Sequence, residues 1–273
     1  SDFNKLDIQS DYFDRIQEFF RAPGDDDSIS HYIANFVEAL EALAISPDKT
    51  LEQSEVVRWG REISFKLNDM SSTIQELRRQ ADNEISDVVT AINQNVTNIG
   101  DLNDKIVRNA AVNVDTTDLR DQRDAAVDKL SELVDVRYFF RGDGDVVVFT
   151  SGGRTLVDSI PQTLTHTPAS SVTATTTHTE GDIAGIYAGT AIELNDITDE
   201  IRSGKLKGLI DIRDQVLTDL QSQLDELAAE LRDAFNQVHN RGFAFPGQQS
   251  TTGTRNFVTP ATSTVAFGGT TDS

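Results

Sequence analysis

Apolar side chains step by three or four residues without a miss from Ile63 through Met70, Leu77, Ile85, Ile92 and Ile99 to Ile106. That spacing puts them on one face of an α-helix. No proline interrupts the run, and Gly100 is the only glycine between Arg61 and Ala110. The pattern predicts one helix from about Leu51 to Arg108, roughly 85 Å long at 1.5 Å per residue. A rod of that length does not fit inside a compact globule. Its apolar edge needs a partner along its whole extent.

A second stripe, from Leu206 through Leu217, Leu224 and Leu231 to Phe235 and Val238, predicts another helix of roughly 50 Å. Shorter helical patterns fill the rest. One covers 3–20, with Leu6, Phe13, Ile16, Phe19 and Phe20, and stops at Ala22-Pro23-Gly24. The next begins behind Ser28 or Ser30 as N-cap and carries Ile29, Ile33, Phe36, Leu40 and Leu43. Pro47 fits the first position of the following helix behind Ser46, and Thr50 with Gln53 has capping-box spacing. A fourth helix runs from Thr117 or Asp118 to about Val134, with Leu119, Ala126, Leu130 and Leu133 inward.

The period then changes. Val136–Phe140 and Val146–Phe149 flank Arg141-Gly142-Asp143-Gly144-Asp145, which reads as a hairpin. Residues 151–203 are rich in Ser, Thr and Gly, with candidate strands at Thr155–Val157, Thr163–Thr167, Val172–Thr176 and Ala191–Glu193. Asn240, Gly242 and Pro246-Gly247 end the last helix, and the Thr-rich tail holds strand-like pieces at Asn256–Val258 and Thr264–Phe267. The expected fold is α+β, mainly α: an elongated bundle of long antiparallel helices with a small β-rich insertion. The expected division is 1–134 helical, 135–203 β-rich insertion, 204–243 returning long helix, and 244–273 a loop or the start of an outer β domain.

Composition narrows function. With 24 basic and 45 acidic side chains the net charge is −21, so nucleic acid and anionic membrane surfaces are repelled. The longest apolar runs are four residues, Ala42–Ile45 and Val146–Phe149, against the roughly 20 needed to span a bilayer. The N-terminus has no apolar segment of the cleaved-signal type. Cysteine is absent, which removes disulfides, thiolate metal sites and Cys nucleophiles together.

Reactive groups do not converge. His31, His166, His178 and His239 have no metal-ligand spacing to one another or to a carboxylate, and His239 suits the negative end of a helix dipole. Asp143 and Asp145 read as turn residues, since the loop lacks the glycine and closing glutamate of an EF-hand. Asp25–Asp27 and Asp196, Asp199 and Glu200 read as solvated turns. Asn95-Val96-Thr97 matches the glycosylation triplet inside the long helix, a chance match. No nucleophile elbow or phosphate-binding glycine loop is present. Catalytic, cofactor-binding and metal residues are therefore expected to be none. Along Asp118–Asp124, Arg120 and Asp124 form an i,i+4 pair while Arg120 and Arg123 share a face. Either a solvated helix start, worth a few tenths of a kcal/mol, or a polar contact with a neighbouring subunit fits.

Three long stretches resemble a known family: DLRDQRDAAVDKLSELVDVR at 118–137, SGGRTLVD at 151–158, and SGKLKGLIDIRDQVLTDLQSQLDELAAELRDAFNQVHNRGF at 203–243. Together with YFDRIQEFF and the segment up to Val57, they are similar to the hook-associated protein 1 family of the bacterial flagellum. The resemblance implies a structural, extracellular subunit joining hook to filament, exported without a cleaved signal. Its implied partners are copies of itself in a ring, the hook protein, the next hook-associated protein along the axis, and an export chaperone. It also implies an internal piece lacking the family's two terminal apolar segments. Flagellin, another axial protein, or a coiled-coil adaptor or adhesin displaying the insertion are the alternatives.

Overall fold

The computed structural model describes residues 2–22 and 24–239. The described residues hold six α-helices, and the expected long one, α3, runs Thr50–Ala111 over 62 residues. Along α3 every stripe residue from Met70 to Ile106 is buried, and Leu67 is half-buried. A second buried column follows the stripe by one position: Arg78 after Leu77, Asp82 after Ala81, Val89 after Val88, Gly100 after Ile99, Asn103 after Leu102. There α3 is covered on two sides, whereas its N-terminal third has a single buried column.

Helices α1 (Asp2–Phe20) and α2 (Ile29–Ile45) precede it, and α4 (Thr117–Leu133) follows it. Ser28 is the α2 cap, its hydroxyl accepting from the His31 amide at 3.2 Å. The start of α3 differs from expectation. Lys49 is the N-cap with no side-chain bond, Thr50 is already helical, and Gln53 instead donates to the Pro47 carbonyl at 2.8 Å. A side chain that satisfies the preceding turn is not free for a capping box.

The inward face of α1 also differs. Ile8 and Tyr12 are buried, with Ile16, Phe19 and Phe20 packed beside them, while Leu6 and Phe13 are exposed. Two apolar ridges run along this helix. The one that turns inward is the one that meets α5 (Gly204–Asp211), where Gly208 lies against Ile8.

The stripe predicted as a single helix after Gly204 is broken once. α5 passes into a π turn at Ile212–Val216, and α6 continues over Leu217–His239. Arg213 in the π turn meets Asp82, and Gln221 of α6 meets Ser71 and Gln75. Partner numbers fall on α3 as they rise on this arm, so the two helices run antiparallel. Gly204 opens α5 at φ +89°, with the Leu133 carbonyl 2.7 Å from where a Cβ would stand. Only glycine meets both conditions.

The β elements are small and antiparallel. Strands β1 (Val136–Phe140), β2 (Val146–Thr150) and β3 (Thr155–Val157) form one sheet in that order. Val136 faces Thr150 and Phe140 faces Val146. A two-strand sheet joins β4 (Leu164–Thr165) to β5 (Tyr187–Ala188). The expected strands at 172–176 and 191–193 are a turn and the approach to a 3-10 turn at Glu193–Asn195. Threonine hydroxyls bonding their own loop, as Thr176 does to the Thr173 carbonyl, compete with strand pairing there. The expected strands at Asn256–Val258 and Thr264–Phe267, and the stop signals from Asn240 to Gly247, lie outside the described residues.

Val146, Val148, Leu156, Val157, Leu164 and Ile186 share one continuous core with α3, α4 and α5. Residues 1–231 make one compact unit. Phe235 of α6, read as inward, is exposed. The architecture is thus mainly helical, with long helices packed together and small antiparallel sheets inserted.

Candidate assembly surface and its internal supports

Among the described residues no group of three His, Asp or Glu side chains is placed to hold a metal. What α3 does hold is the β insertion. Asn103 donates its Nδ2 to the Val146 carbonyl at 2.8 Å and accepts the Val146 amide at 3.2 Å. Asn93 repeats this with Leu164, at 2.8 and 2.7 Å. Each carboxamide thus imitates a neighbouring strand, satisfying a strand-end peptide that faces a helix.

Between these clamps and the π turn sits a buried charge network. Arg213, at 0% exposure, donates to Asp82 at 2.6 Å and grips Asp214 through Nε and Nη2 at 2.8 and 2.6 Å. Arg78, also fully buried, bonds the Arg213 carbonyl at 3.1 Å and the carbonyls of Thr173 and Thr176 at 3.0 and 2.7 Å. It therefore ties the π turn, α3 and the insertion with one guanidinium. Asp82 takes a further bond from the Ala169 amide at 2.7 Å.

Burial alone would raise the Asp82 carboxyl. His166, the Ala169 amide and Arg213 outweigh it and hold Asp82 below the usual carboxylate range. For Arg213 burial is likewise outweighed, by Asp214 and Asp82, and its pKa is raised. Arg78 is different: burial dominates and lowers it, because its bonds go to neutral carbonyls.

The histidines are placed by the same frame. His166 Nδ1 meets the Gly185 carbonyl at 3.0 Å and so must donate, while Nε2 lies 3.1 Å from Asp82 Oδ1 but off the hydrogen-bond line. His178 repeats the motif with the Ile183 carbonyl at 3.1 Å and Asp196 at 3.6 Å. His31 stands at the α2 N-terminus, 3.9 Å from Asp26; the His239 side chain is outside the described residues. Asp25 and Asp27 serve their turn, the former accepting from the Ala22 amide and the latter pairing Lys66 at 3.0 Å. Glu200 pairs Arg154 at 3.3 Å.

Arg78, Asp82, Arg213, Asn93 and Asn103 escaped the sequence reading. The signal was there: each is a polar residue at or beside the phase of an apolar stripe.

The outer surface carries the apolar groups a lone chain leaves wet. On β1, Tyr138, Phe139 and Phe140 are exposed, and Val112 and Val114 are exposed on the nearby α3–α4 loop. Here the expected Arg120–Asp124 pair is absent. Asp124 bonds Arg123 instead, at 3.0 and 2.9 Å. Arg123 is buried, donates to the Gly144 carbonyl at 2.7 Å and lies under the Phe140 ring. A buried guanidinium gains more from the carboxylate than an exposed one does. The hairpin turn holds Asp143 and Asp145, with Asp143 accepting the Asp145 amide at 3.2 Å. Burial, helped by Asp143, pushes Asp145 up despite Arg141, and one of its oxygens is buried without a partner.

Comparison with known proteins decides the lineage. Residues 13–255 match the family model described as flagellar hook-associated protein FlgK helical domain. The chain belongs to this family. The Bacillus subtilis protein named flagellar hook-associated protein 1 is 25% identical over 244 residues, covering 82% of this chain and 48% of that protein. The Salmonella typhimurium protein of the same name is 29% identical over 228 residues, covering 81% and 40%. The solved flagellar hook junction protein FlgK of Burkholderia pseudomallei superposes with a TM-score of 0.67 at 23% identity, over 81% of this chain and 39% of that one. The chain spans less than half the length of these FlgK relatives, and the solved structure supports the shared fold. No described helix is long and apolar enough to cross a membrane.

Proposed function

We propose that this FlgK helical-domain chain is the body of a structural subunit joining the flagellar hook to the filament. One observation carries the reading: the family's helical domain extends over 13–255. The subunit is extracellular, exported without a cleaved signal, and has no catalytic role. Its partners are copies of itself in a ring, the hook protein below, the next hook-associated protein above, and an export chaperone before assembly. In this reading 135–203 is an insertion carried by the helical body 1–134 and 204–243, and 244–273 is a loop or the start of an outer β domain. The buried clamps of α3 support a mechanical role, because they make helix and insertion move as one piece. Electron microscopy of cells lacking the gene tests it. Hooks without filaments are expected, with filaments restored by the intact gene; normal filaments in the deletion strain would end the reading.

A further inference from the structure

We propose that the cleft around Arg120 receives the acidic ridge of α1 from a second copy of this chain. The proposal rests on the ring-forming subunit reading. The cleft encloses about 550 Å³ where the end of α3, the start of α4 and the β1–β2 turn meet, lined by Val107, Ala110, Arg120, Arg123, Phe140 and the Gly144 turn. Arg120 lies against that turn, its Nη2 3.2 Å from where a Gly144 Cβ would stand. Its guanidinium makes no hydrogen bond or close ion pair among the described residues: Asp124 is taken by Arg123, Asp145 and Asp158 by Arg141, and Asp115, whose charge reaches Arg120, is bonded to Thr117. Asp143 on the rim is bonded to the Asp145 amide. The result is an open cation beside exposed aromatic and aliphatic groups, the composition of an interface centre.

The complement is on the same chain but at a different place. Asp7, Asp11, Asp14 and Glu18 recur at four, three and four residues along α1, all exposed and all without an ion-pair partner among the described residues. The inward cations of α1 are already engaged, Lys5 with Asp211 at 2.7 Å and Arg15 with Glu84 at 3.3 Å. Beside the carboxylates run the exposed Phe3, Leu6 and Phe13. One surface offers cation plus aromatic, the other anion plus aromatic. Two different patches meeting between copies make a head-to-tail contact, the kind that closes rings or propagates helices.

Charge reversal in the intact gene tests this. Arg120→Glu is expected to cut filament-bearing hooks at least fivefold while the thermal melting of the chain stays unchanged. Asp11→Arg with Asp14→Arg is expected to do the same, and the combined reversal to restore filaments. Because the chain has no cysteine, Arg120→Cys with Asp11→Cys gives a second readout: oxidised flagella should yield disulfide-linked multimers. Wild-type filament counts with Arg120→Glu, a combination no better than its parts, or no linked species would overturn the contact. If the deletion strain lacks filaments yet Arg120→Glu does not, only this surface fails and the junction reading stands.

Discussion

Asn103 holds Val146 by both its backbone polar groups: Nδ2 gives to the carbonyl at 2.8 Å and Oδ1 takes the amide at 3.2 Å. Val146 begins the central strand of the larger sheet. One helical side chain therefore fixes where that sheet sits. Asn103→Ala leaves a buried donor and acceptor bare, and should cost about 1–3 kcal/mol. Urea denaturation measures the loss, and hydrogen exchange at the Val146 amide should quicken more than at Ile74. Unchanged exchange would count against the clamp.

The Asp82–Arg213 pair should behave asymmetrically. Asp82→Ala leaves the buried Arg213 with Asp214 as its one carboxylate and bares the Ala169 amide, and should cost about 1–3 kcal/mol. Replacing both partners, Asp82→Leu with Arg213→Met, should cost clearly less than the single change. Equal losses in denaturant titrations would mean the pair is not coupled.

Acid should act on two carboxylates in opposite directions. Asp82 is depressed below 3.8, so its contribution is present above pH 3.8 and is lost as pH falls through its lower folded value. Asp145 is raised above 3.8, so its ionised form costs stability at neutral pH, a cost relieved as pH falls through its folded value. Asp145→Asn should therefore raise the melting temperature at pH 7, with the advantage vanishing below about pH 3.8. A gain that persists at pH 3 would contradict the assignment.

The two ridges of α1 separate cleanly by mutation. Ile8→Ala removes a core side chain and should cost about 2–5 kcal/mol. Leu6→Gln, on the exposed ridge, should change stability by less than about 0.5 kcal/mol. Thermal melting of the pair checks which ridge faces inward.

Gly208 is the contact point of α5 with α1. A Cβ there would collide with Ile8 Cγ2 and stand 2.9 Å from the Lys5 carbonyl. Gly208→Ala should cost about 1–3 kcal/mol by overpacking, and the same change should cost less in an Ile8→Ala background, where the clashing Cγ2 is gone. A neutral single substitution, read by chemical denaturation, would show that α1 can move away.

The sequence disclosed the rods because a period of 3.6 residues needs only local repetition to be seen. From Ile63 to Ile106 the predicted stripe is buried apart from half-buried Leu67. It disclosed less where burial depends on what packs from outside. Leu6 and Phe13 make as regular a ridge as Ile8 and Tyr12, and only the position of α5 decides between them. The π turn at Ile212–Val216 leaves no trace in apolar spacing, since Arg213 sits at a core phase disguised as a surface residue. Asp124 was paired with Arg120 by helical spacing, but tertiary burial of Arg123 redirected it. For Arg78, Asp82, Asn93, Asn103 and Arg213 the overlooked clue was a polar residue at or beside the phase of an apolar stripe.

The two carboxamide clamps sit on a single unbroken helix, at positions 93 and 103. Ten residues of α-helix fix their separation at about 15 Å along the axis. Losing or gaining one residue between them would swing the second amide by about 100° and shift it by about 1.5 Å. It would then face away from its strand. This stretch of α3 is a gauge of fixed length: descendants should vary in residue type only on its solvent face and never differ in count.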